Sequence, residues 1–174
     1  MHVITPEELA KIIPNASNRV ELFWQPLTAA MDEFEIDNPA RQAAFLAQVA
    51  HESGGFRYVR ELASGAAYEG RADLGNTESG DGVRYRGRGL IQITGRANYR
   101  DCSAALGVDF IASPELLESP EMACRSAAWF WKTHGLNELA DKGDFKLITK
   151  RINGGYNGYQ DRLAYYERAQ RVLG

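Results

Sequence analysis

Apolar side chains recur every three or four residues through most of this chain, and Pro, Gly and capping residues mark the ends of the periodic stretches. The clearest helix contains Phe45 to Val49, because Asn38 can cap its start, Pro39 suits the first helical position and Gly54 can end it in the left-handed conformation. Pro26 is expected to kink or split another helix. Seven helical segments are predicted: from the cap Thr5 to Pro14, from about Arg19 to Phe34, from Asn38 to Gly54, from Arg96 to Gly107, from Ser119 to about Gly135, from Asp144 to Asn153, and from about Tyr159 to Val172.

The stretch between residues 54 and 89 is different, because it holds nine glycines and little apolar periodicity. A loop this long inside a compact domain is usually functional, for example as one wall of a cleft. Residues 90 to 94 then alternate apolar and polar side chains between two glycines, which predicts a short strand with Gln92 and Thr94 on one face.

These elements predict a mostly α-helical α+β fold, in which a cleft separates a helical body from a Gly-rich lobe with a small amount of β-structure. The chain has 174 residues and 44% hydrophobic content, which is enough to bury a real core. No repeat or linker interrupts it, so we predict one domain that spans residues 1–174.

Composition argues against several classes of function. The net charge of -3 and the lack of a basic block argue against nucleic acid as a partner, and no stretch is long and apolar enough to predict a stable membrane association. The N-terminus has neither the basic region nor the apolar region of a signal peptide, which predicts a cytoplasmic location unless another factor exports the chain. Cys102 and Cys124 are predicted to be reduced, buried thiols, and we expect a monomer.

Metal binding is not predicted either. Asp73, Asn76, Glu78 and Asp81 are oxygen ligands of the kind that calcium prefers, but their spacing does not match the twelve-residue calcium loop. We therefore expect neither a metal nor another cofactor.

Glu52 is the first candidate for chemistry. It follows Phe45 and Val49 at helical spacing, so it continues an apolar stripe in which a carboxylate is unusual. An apolar surround and the negative end of the helix dipole are both expected to raise its pKa, as in a general acid. The alternative is that Glu52 points sideways into solvent.

A second carboxylate, Glu61, comes nine residues later, beyond the Gly54-Gly55 turn. If the chain reverses there, two carboxylates can face each other across a cleft, which is the machinery of glycoside hydrolysis. Thr94 is a third candidate, since its hydroxyl could help to hold a water; otherwise it is an ordinary strand threonine.

Other polar residues have both a binding and a structural interpretation. The segment from Tyr85 to Gly89 could bind nucleic acid, but a tight turn that feeds the strand is the better interpretation because no further basic repeat follows. The amides around Asn153 could bind sugar hydroxyls or simply build a turn. Arg162 could pair with a cleft carboxylate or remain solvated at the surface.

Two tryptophans and a histidine are assigned to structure rather than chemistry. Trp129 and Trp131 are expected in core or lobe packing in preference to a sugar platform. His51 points away from Glu52 on the same helix and is expected to make a structural hydrogen bond.

Taken together, the ordered motifs resemble glycoside hydrolase family 19 from about residue 39 onward. The matching pieces are FLAQVAHESGG at residues 45–55, YVRE at 58–61, YRGRGLIQIT at 85–94, Asn98-Tyr99, INGG at 152–155 and Asp161-Arg162. The chain lacks the cysteine framework of the plant chitinases and joins its two acids by a shorter loop than theirs.

The resemblance implies a lysozyme-like bilobal fold and an inverting mechanism. By position, Glu52 is similar to the family's general acid, Glu61 to its general base and Thr94 to its water-holding hydroxyl. Glu69 remains a second candidate for the base, because the shortened loop allows either placement. Residues that match cleft-lining positions of the family are Tyr85, Gln92, Asn153 and Arg162.

The compact form resembles the phage-lysis branch of the family, whose members degrade bacterial peptidoglycan. We therefore predict an endolysin that hydrolyses β-1,4 bonds between amino sugars of the cell wall and waits in the host cytoplasm until a membrane pore releases it to the periplasm. The alternatives are a chitinase, a lytic transglycosylase with one catalytic acid, and a non-catalytic sugar-binding module with the same fold.

Overall fold

The computed structural model describes residues 2–174, and most of this part of the chain is helical. Within these residues the β-structure is limited to two isolated antiparallel bridges, which pair Arg88 with Arg60 and with Ile93. No helix there is both long enough and apolar enough to cross a membrane. The α-helices are α1 (Pro6–Ile12), α2 (Arg19–Glu33), α3 (Pro39–Ser53), α4 (Asp81–Arg84), α5 (Arg96–Leu106), α6 (Pro120–Thr133), α7 (Leu136–Asp141), α8 (Phe145–Asn153) and α9 (Tyr159–Leu173), with short 3₁₀ helices at Pro14–Ala16, Ala66–Tyr68, Ala72–Leu74 and Pro114–Glu118.

Helix α3 is the centre of the helical body. Its predicted ends are confirmed: the side chain of Asn38 accepts a hydrogen bond from the backbone N–H of Arg41, and Gly54 ends the helix at φ +59°. Ten of its fifteen residues are buried, so it is surrounded on nearly all sides. Helix α9 packs along it, and Phe45 meets Trp131 of α6 edge-on with ring centroids 5.3 Å apart.

The apolar side chains form two cores, which confirms the bilobal α+β prediction. The larger core surrounds α3 and includes buried residues of α1, α2, α6, α7, α8 and α9. Helix α6 contributes to both cores, since Trp131 is fully buried in the larger one while Trp129 packs partly against the smaller one. The smaller core belongs to the Gly-rich side and consists of Tyr85, Ile93, Tyr99, Cys102, Leu106, Phe110 and Leu117.

Both cysteines are free and buried, as predicted. Cys102 lies in the smaller core and Cys124 in the larger one. Burial raises the pKa of the Cys102 thiol to about 12 and also raises that of Cys124, so both remain protonated and act as small apolar side chains.

The strand predicted at residues 90–94 is wrong. The backbone groups of Arg88 and Ile93 donate to each other at 3.1 and 2.9 Å and close a turn, and Gly89 has φ +103°. Leu90 and Ile91 are consecutive and both buried in the larger core, whereas Ile93 is buried in the smaller one. The alternating pattern thus reflects a turn between two cores and not a strand with two faces.

Helix α2 is continuous through Pro26, so the expected split is wrong. A proline inside a helix removes one hydrogen bond. Phe23, Leu27 and Ala30 are buried along one face of α2 on both sides of Pro26, and their packing holds the helix in one piece. The short helices α4 and α7 lack strong periodicity and were not predicted.

The cap of α3 generates a prediction about stability. Asn38→Ala removes the acceptor for the Arg41 N–H and should lower the free energy of unfolding by about 1 kcal/mol. Asn18→Ala is the matched control, because Asn18 precedes α2 without making a side-chain cap bond. Denaturant unfolding measures both variants, and equal losses would contradict the assignment.

Candidate active site

Glu52 lies in the last turn of α3 and is held by a buried arginine. Its Oε1 is 2.9 Å from Nη1 of Arg162 in α9, and the Arg162 side chain is only 1% exposed whereas that of Glu52 is 24% exposed. The apolar surround expected for Glu52 is therefore wrong, because its immediate neighbour is a cation. Oε2 makes no hydrogen bond or ion pair with residues 2–174, so it faces the open side.

The Arg162 guanidinium is satisfied by several groups at once. Nη1 also donates to Oε1 of Gln48 at 2.6 Å, and Nε donates to the backbone carbonyl of Asn157 at 3.0 Å. Gln48 is in turn fixed by donating to the hydroxyl of Thr149 at 2.9 Å. The pairing of Arg162 with a carboxylate is therefore confirmed, and its solvated alternative is wrong. Arg162 is too buried to line the cleft as the resemblance implies.

Asn153 positions the turn that holds Arg162. Its side-chain Oδ1 accepts a hydrogen bond from the Asn157 N–H at 3.1 Å, and Gly154 follows it with φ +82°. Asn153 is exposed, and its side-chain amide N–H groups make no hydrogen bond within residues 2–174. Binding of sugar by Asn153 stays a prediction.

A second contact between α3 and α9 lies beside the first. Nδ1 of His51 is 2.7 Å from Oδ2 of Asp161, which confirms a structural hydrogen bond for this histidine. Gly158 is required there, since a Cβ at that position would lie 2.2 Å from the His51 ring. The adjacent pairs His51–Asp161 and Glu52–Arg162 thus fix the end of α3 against the start of α9.

The chain reverses directly after Glu52. Gly54, Gly55 and Phe56 all have positive φ values, between +59° and +71°. A Cβ at Gly55 would lie 2.5 Å from the Asn15 side chain, and Phe56 stacks on Phe23 of α2 with ring centroids 5.0 Å apart. The N-terminal helices therefore hold the turn that leads from the first carboxylate to the second.

Glu61 is held by the backbone of the opposite segment. Its Oε1 accepts from the N–H of Gly87 at 2.7 Å, and its own N–H donates to the Gly87 carbonyl at 2.9 Å. The Tyr68 hydroxyl donates to Oε2 at 3.0 Å, and burial together with this bond raises the pKa of Tyr68. Glu61 also lines an open groove of about 520 Å³ with Arg57 and Arg60.

Gln92 and Thr94 lie next to this carboxylate segment. The Gln92 side chain covers Gly87, where an added Cβ would lie 2.6 Å from Gln92 Oε1. Gln92 and Thr94 share a groove of about 390 Å³, and both are partly exposed. The Thr94 hydroxyl makes no hydrogen bond within the described residues, so it is free to bind a water or a sugar.

Tyr85 does not line the cleft, which corrects the role that the resemblance implies. It is 1% exposed, and its hydroxyl donates to the carbonyl of Ile111 at 3.0 Å. The Arg96 guanidinium lies 5.0 Å from its ring centroid, and Tyr99 packs against it at 5.0 Å. Tyr85 therefore builds the smaller core.

Two acidic residues of the lobe share one arginine, Arg96. Both carboxylate oxygens of Asp81 accept from Arg96 at 2.8 Å, and this hydrogen bonding lowers the pKa of Asp81. Glu78 contacts the same guanidinium. Buried Asn76 accepts from the Arg96 N–H and donates to the carbonyl of Tyr68, which ties the residue that binds Glu61 to the start of α5.

The family model described as chitinase class I, from glycoside hydrolase family 19, matches residues 33–142, which is more than half of the chain. A family 19 domain-containing protein of Haemophilus influenzae is 35% identical, and the match covers 90% of each chain. The chain belongs to glycoside hydrolase family 19. It is therefore a glycoside hydrolase.

Members of family 19 with solved structures share the fold. A bacterial family 19 chitinase matches with a TM-score of 0.83 and 25% identity over 99% of this chain and 96% of its own. Chitinase C of Streptomyces griseus matches with a TM-score of 0.81 over 99% of this chain and 77% of its own, also at 25% identity. An Arabidopsis thaliana endochitinase is 38% identical over 76% of this chain, which spans about half the length of that plant relative.

Glu69 has a different environment from Glu61. Its two oxygens accept from the N–H groups of Gly80 and Gly82, each at 2.9 Å, and these bonds lower its pKa. Both oxygens of Glu61 are bonded as well, but Glu61 lines the open groove with Arg57 and Arg60, whereas Glu69 holds the start of α4. Glu61 therefore stays the predicted base.

Paired substitutions test this choice. Glu61→Gln keeps an acceptor for Gly87 but cannot take a proton, and kcat should fall on the order of 100-fold or more. Glu69→Gln should keep kcat and lower stability at neutral pH. Because the pKa of Glu69 is lowered on folding, its stabilisation is present above its ordinary value of 4.5 and is lost as the pH falls through the folded-state pKa.

The readouts are kcat on a soluble glycan and the unfolding midpoint of each variant as a function of pH. The difference in midpoint between Glu69→Gln and the unaltered protein should shrink in acid. A large loss of kcat in Glu69→Gln, with Glu61→Gln nearly unaffected, would reverse the assignment.

Proposed function

We propose that this family 19 hydrolase is an endolysin that cleaves β-1,4 bonds between amino sugars of bacterial peptidoglycan, with inversion at the anomeric carbon. The choice of peptidoglycan rests on two arginines, Arg57 and Arg60, which line the same groove as Glu61. Both are exposed and make no ion pair within residues 2–174, although the whole chain has a net charge of -3. Peptidoglycan carries peptide carboxylates that such cations attract, whereas chitin is uncharged.

The two carboxylates divide the reaction between them. Glu52 protonates the glycosidic oxygen as the bond to the anomeric carbon breaks, and its free Oε2 is the oxygen that carries this proton. Glu61 accepts a proton from a water that attacks the opposite face of the same carbon. Thr94 and Gln92 hold that water or the sugar. An inverting mechanism needs room for the water, so the two carboxyl groups should be roughly 6.5–9.5 Å apart or more in an open form.

Chitin is the alternative substrate. The matching family model is described as chitinase class I, and the solved relatives are chitinases. The same carboxylates would serve for both glycans. A lytic transglycosylase needs only one acid, and a non-catalytic module needs none, so the separate support given to Glu52 and Glu61 favours a hydrolase over both. Action as a monomer and release from the host cytoplasm through a membrane pore stay predictions.

Product analysis tests the proposal. Purified murein and chitin oligomers are each digested, and the products are analysed by mass and by reduction of their new ends. We expect murein fragments with ordinary reducing ends, and nuclear magnetic resonance of the first product of a soluble oligomer should show the inverted anomer. Release of chitin fragments alone would favour the chitinase, and anhydro ends would indicate transglycosylation.

A further inference from the structure

A second groove lies beside the segment that holds Glu61. This groove, which we call the α4 groove, has a volume of about 930 Å³ and opens to solvent. Its lining comes from α4, from the turn that follows α4 and from the 3₁₀ helix Pro114–Glu118, and includes Val83, Arg84, Arg86, Arg88, Pro114 and Glu115.

One ion pair separates the α4 groove from the groove that contains Glu61. Nε of Arg88 donates to Oε2 of Glu118 at 2.8 Å, and Arg88 lines the α4 groove whereas Glu118 lines the groove of Glu61. Arg86 also directly precedes Gly87, whose N–H donates to Glu61. An elongated substrate that occupies the Glu61 groove can therefore continue into the α4 groove.

Two arginines of the α4 groove carry charge that no carboxylate neutralises. Arg84 donates only to neutral acceptors, the hydroxyl of Tyr85 at 3.1 Å and the carbonyl oxygens of Ile111 and Ala112 at 2.9 Å, so its guanidinium is fixed in place. Arg86 makes no side-chain hydrogen bond or ion pair within residues 2–174, and its Nε is buried without an acceptor. In a chain with a net charge of -3, this groove is therefore a local site of attraction for a carboxylate.

The other side chains of the α4 groove restrict the kind of anion that it suits. Glu115 is exposed, and its side chain makes no hydrogen bond or ion pair within the described residues, so it repels a ligand that carries only negative charge. Val83 is 48% exposed and offers apolar surface. The groove thus suits a ligand that combines a carboxylate, an amine and small apolar side chains, which are the chemical groups of a peptide.

We propose that the α4 groove binds the peptide stem of peptidoglycan, with a peptide carboxylate on Arg86, the free amine of the stem's diamino residue on Glu115 and the methyl group of an alanine against Val83. The arginine fork matches a carboxylate through two parallel hydrogen bonds. An extended stem of about four residues reaches about 13 Å from its sugar. That reach is several times the 2.8 Å that joins Arg88 to Glu118. This inference rests on the proposed function, because chitin carries no peptide.

Nuclear magnetic resonance tests the peptide contact directly. The probe is a stem tetrapeptide whose N-terminus is acetylated, because that end is amide-linked in peptidoglycan. Its titration into the unaltered protein should shift the signals of the Val83 methyl groups and of the Arg86 Nε–H in a saturable way. The methyl groups of Val3, which are also exposed but lie near the N-terminus, are the control and should not shift. The absence of a saturable shift at Val83 would overturn the inference.

Acetylation of the amine on the diamino residue tests the role of Glu115. Loss of that charge should weaken binding to the unaltered protein by about 2- to 5-fold, as expected for an exposed ion pair, but should not weaken binding to Glu115→Gln. Glu121→Gln is the matched control and should keep the sensitivity to acetylation, because Glu121 is exposed in α6 and does not line the α4 groove. Equal sensitivity in the unaltered protein and in Glu115→Gln would contradict the amine contact and with it the inference.

Steady-state kinetics provide a second test in the active protein. Each variant is assayed on intact murein and on glycan strands from which an amidase has removed the peptide stems. The ratio of kcat/KM on intact murein to kcat/KM on stripped strands should fall by about 3- to 10-fold in Arg86→Ala, because the lost contact is to the peptide. Arg100→Ala should keep the ratio, since Arg100 is exposed in α5 and its nearest acidic partner is Asp101 at 3.8 Å. An unchanged ratio in Arg86→Ala would overturn the inference.

The two proposals fail in different ways. If the unaltered protein cleaves chitin but not murein, the choice of glycan is wrong, and the peptide titration still decides whether the α4 groove binds a stem. If it cleaves murein while Arg86→Ala keeps the ratio of the unaltered protein, the endolysin proposal stands and the inference about the α4 groove is wrong.

Discussion

The buried guanidinium of Arg162 is the constraint on which the catalytic side of the body depends. A cation that is 1% exposed must be paired on every side, because an unpaired buried charge costs several kcal/mol. Glu52, Gln48 and the carbonyl of Asn157 supply those partners from α3 and from the turn before α9. The orientation of the first carboxylate is therefore tied to the packing of two long helices and does not rest on local structure alone.

The second carboxylate depends on the Gly-rich lobe. Glu61 is held by the Gly87 amide and the Tyr68 hydroxyl, and Tyr68 is in turn tied through Asn76 to the start of α5. The lobe has few apolar contacts of its own between residues 60 and 80 and relies on polar links of this kind, including the pair Asp81–Arg96. Body and lobe can thus supply an acid and a base with different environments, as glycoside hydrolysis requires.

Local chemistry explains which parts of the fold could be predicted from sequence. Asn38 and Gly54 define the ends of α3 because caps act within one turn. The alternating pattern at residues 90–94 misled because this segment turns between the two cores, and Pro26 misled because α2 is held straight through it by packing in the larger core. Arg162 and Gly87 lie far along the chain from Glu52 and Glu61, so these contacts have no local signal. Tyr68 is only seven residues from Glu61, but nothing in the local pattern marks it as a support. The one sequence feature that pointed to the contact between His51 and Asp161 is that Asp161 precedes Arg162 in one of the matching motifs.

The most direct test is the kinetic effect of Arg162→Lys, which keeps the charge and loses the planar fork. Arg168→Lys on the same helix is the control, because the Arg168 guanidinium contacts the carbonyl of Ile12 and no carboxylate of the site. Under conditions where circular dichroism shows both variants folded, kcat of Arg162→Lys should fall on the order of 100-fold with KM nearly unchanged. A folded Arg162→Lys protein with the kcat of the unaltered enzyme would contradict the claim that Arg162 orients Glu52 for catalysis.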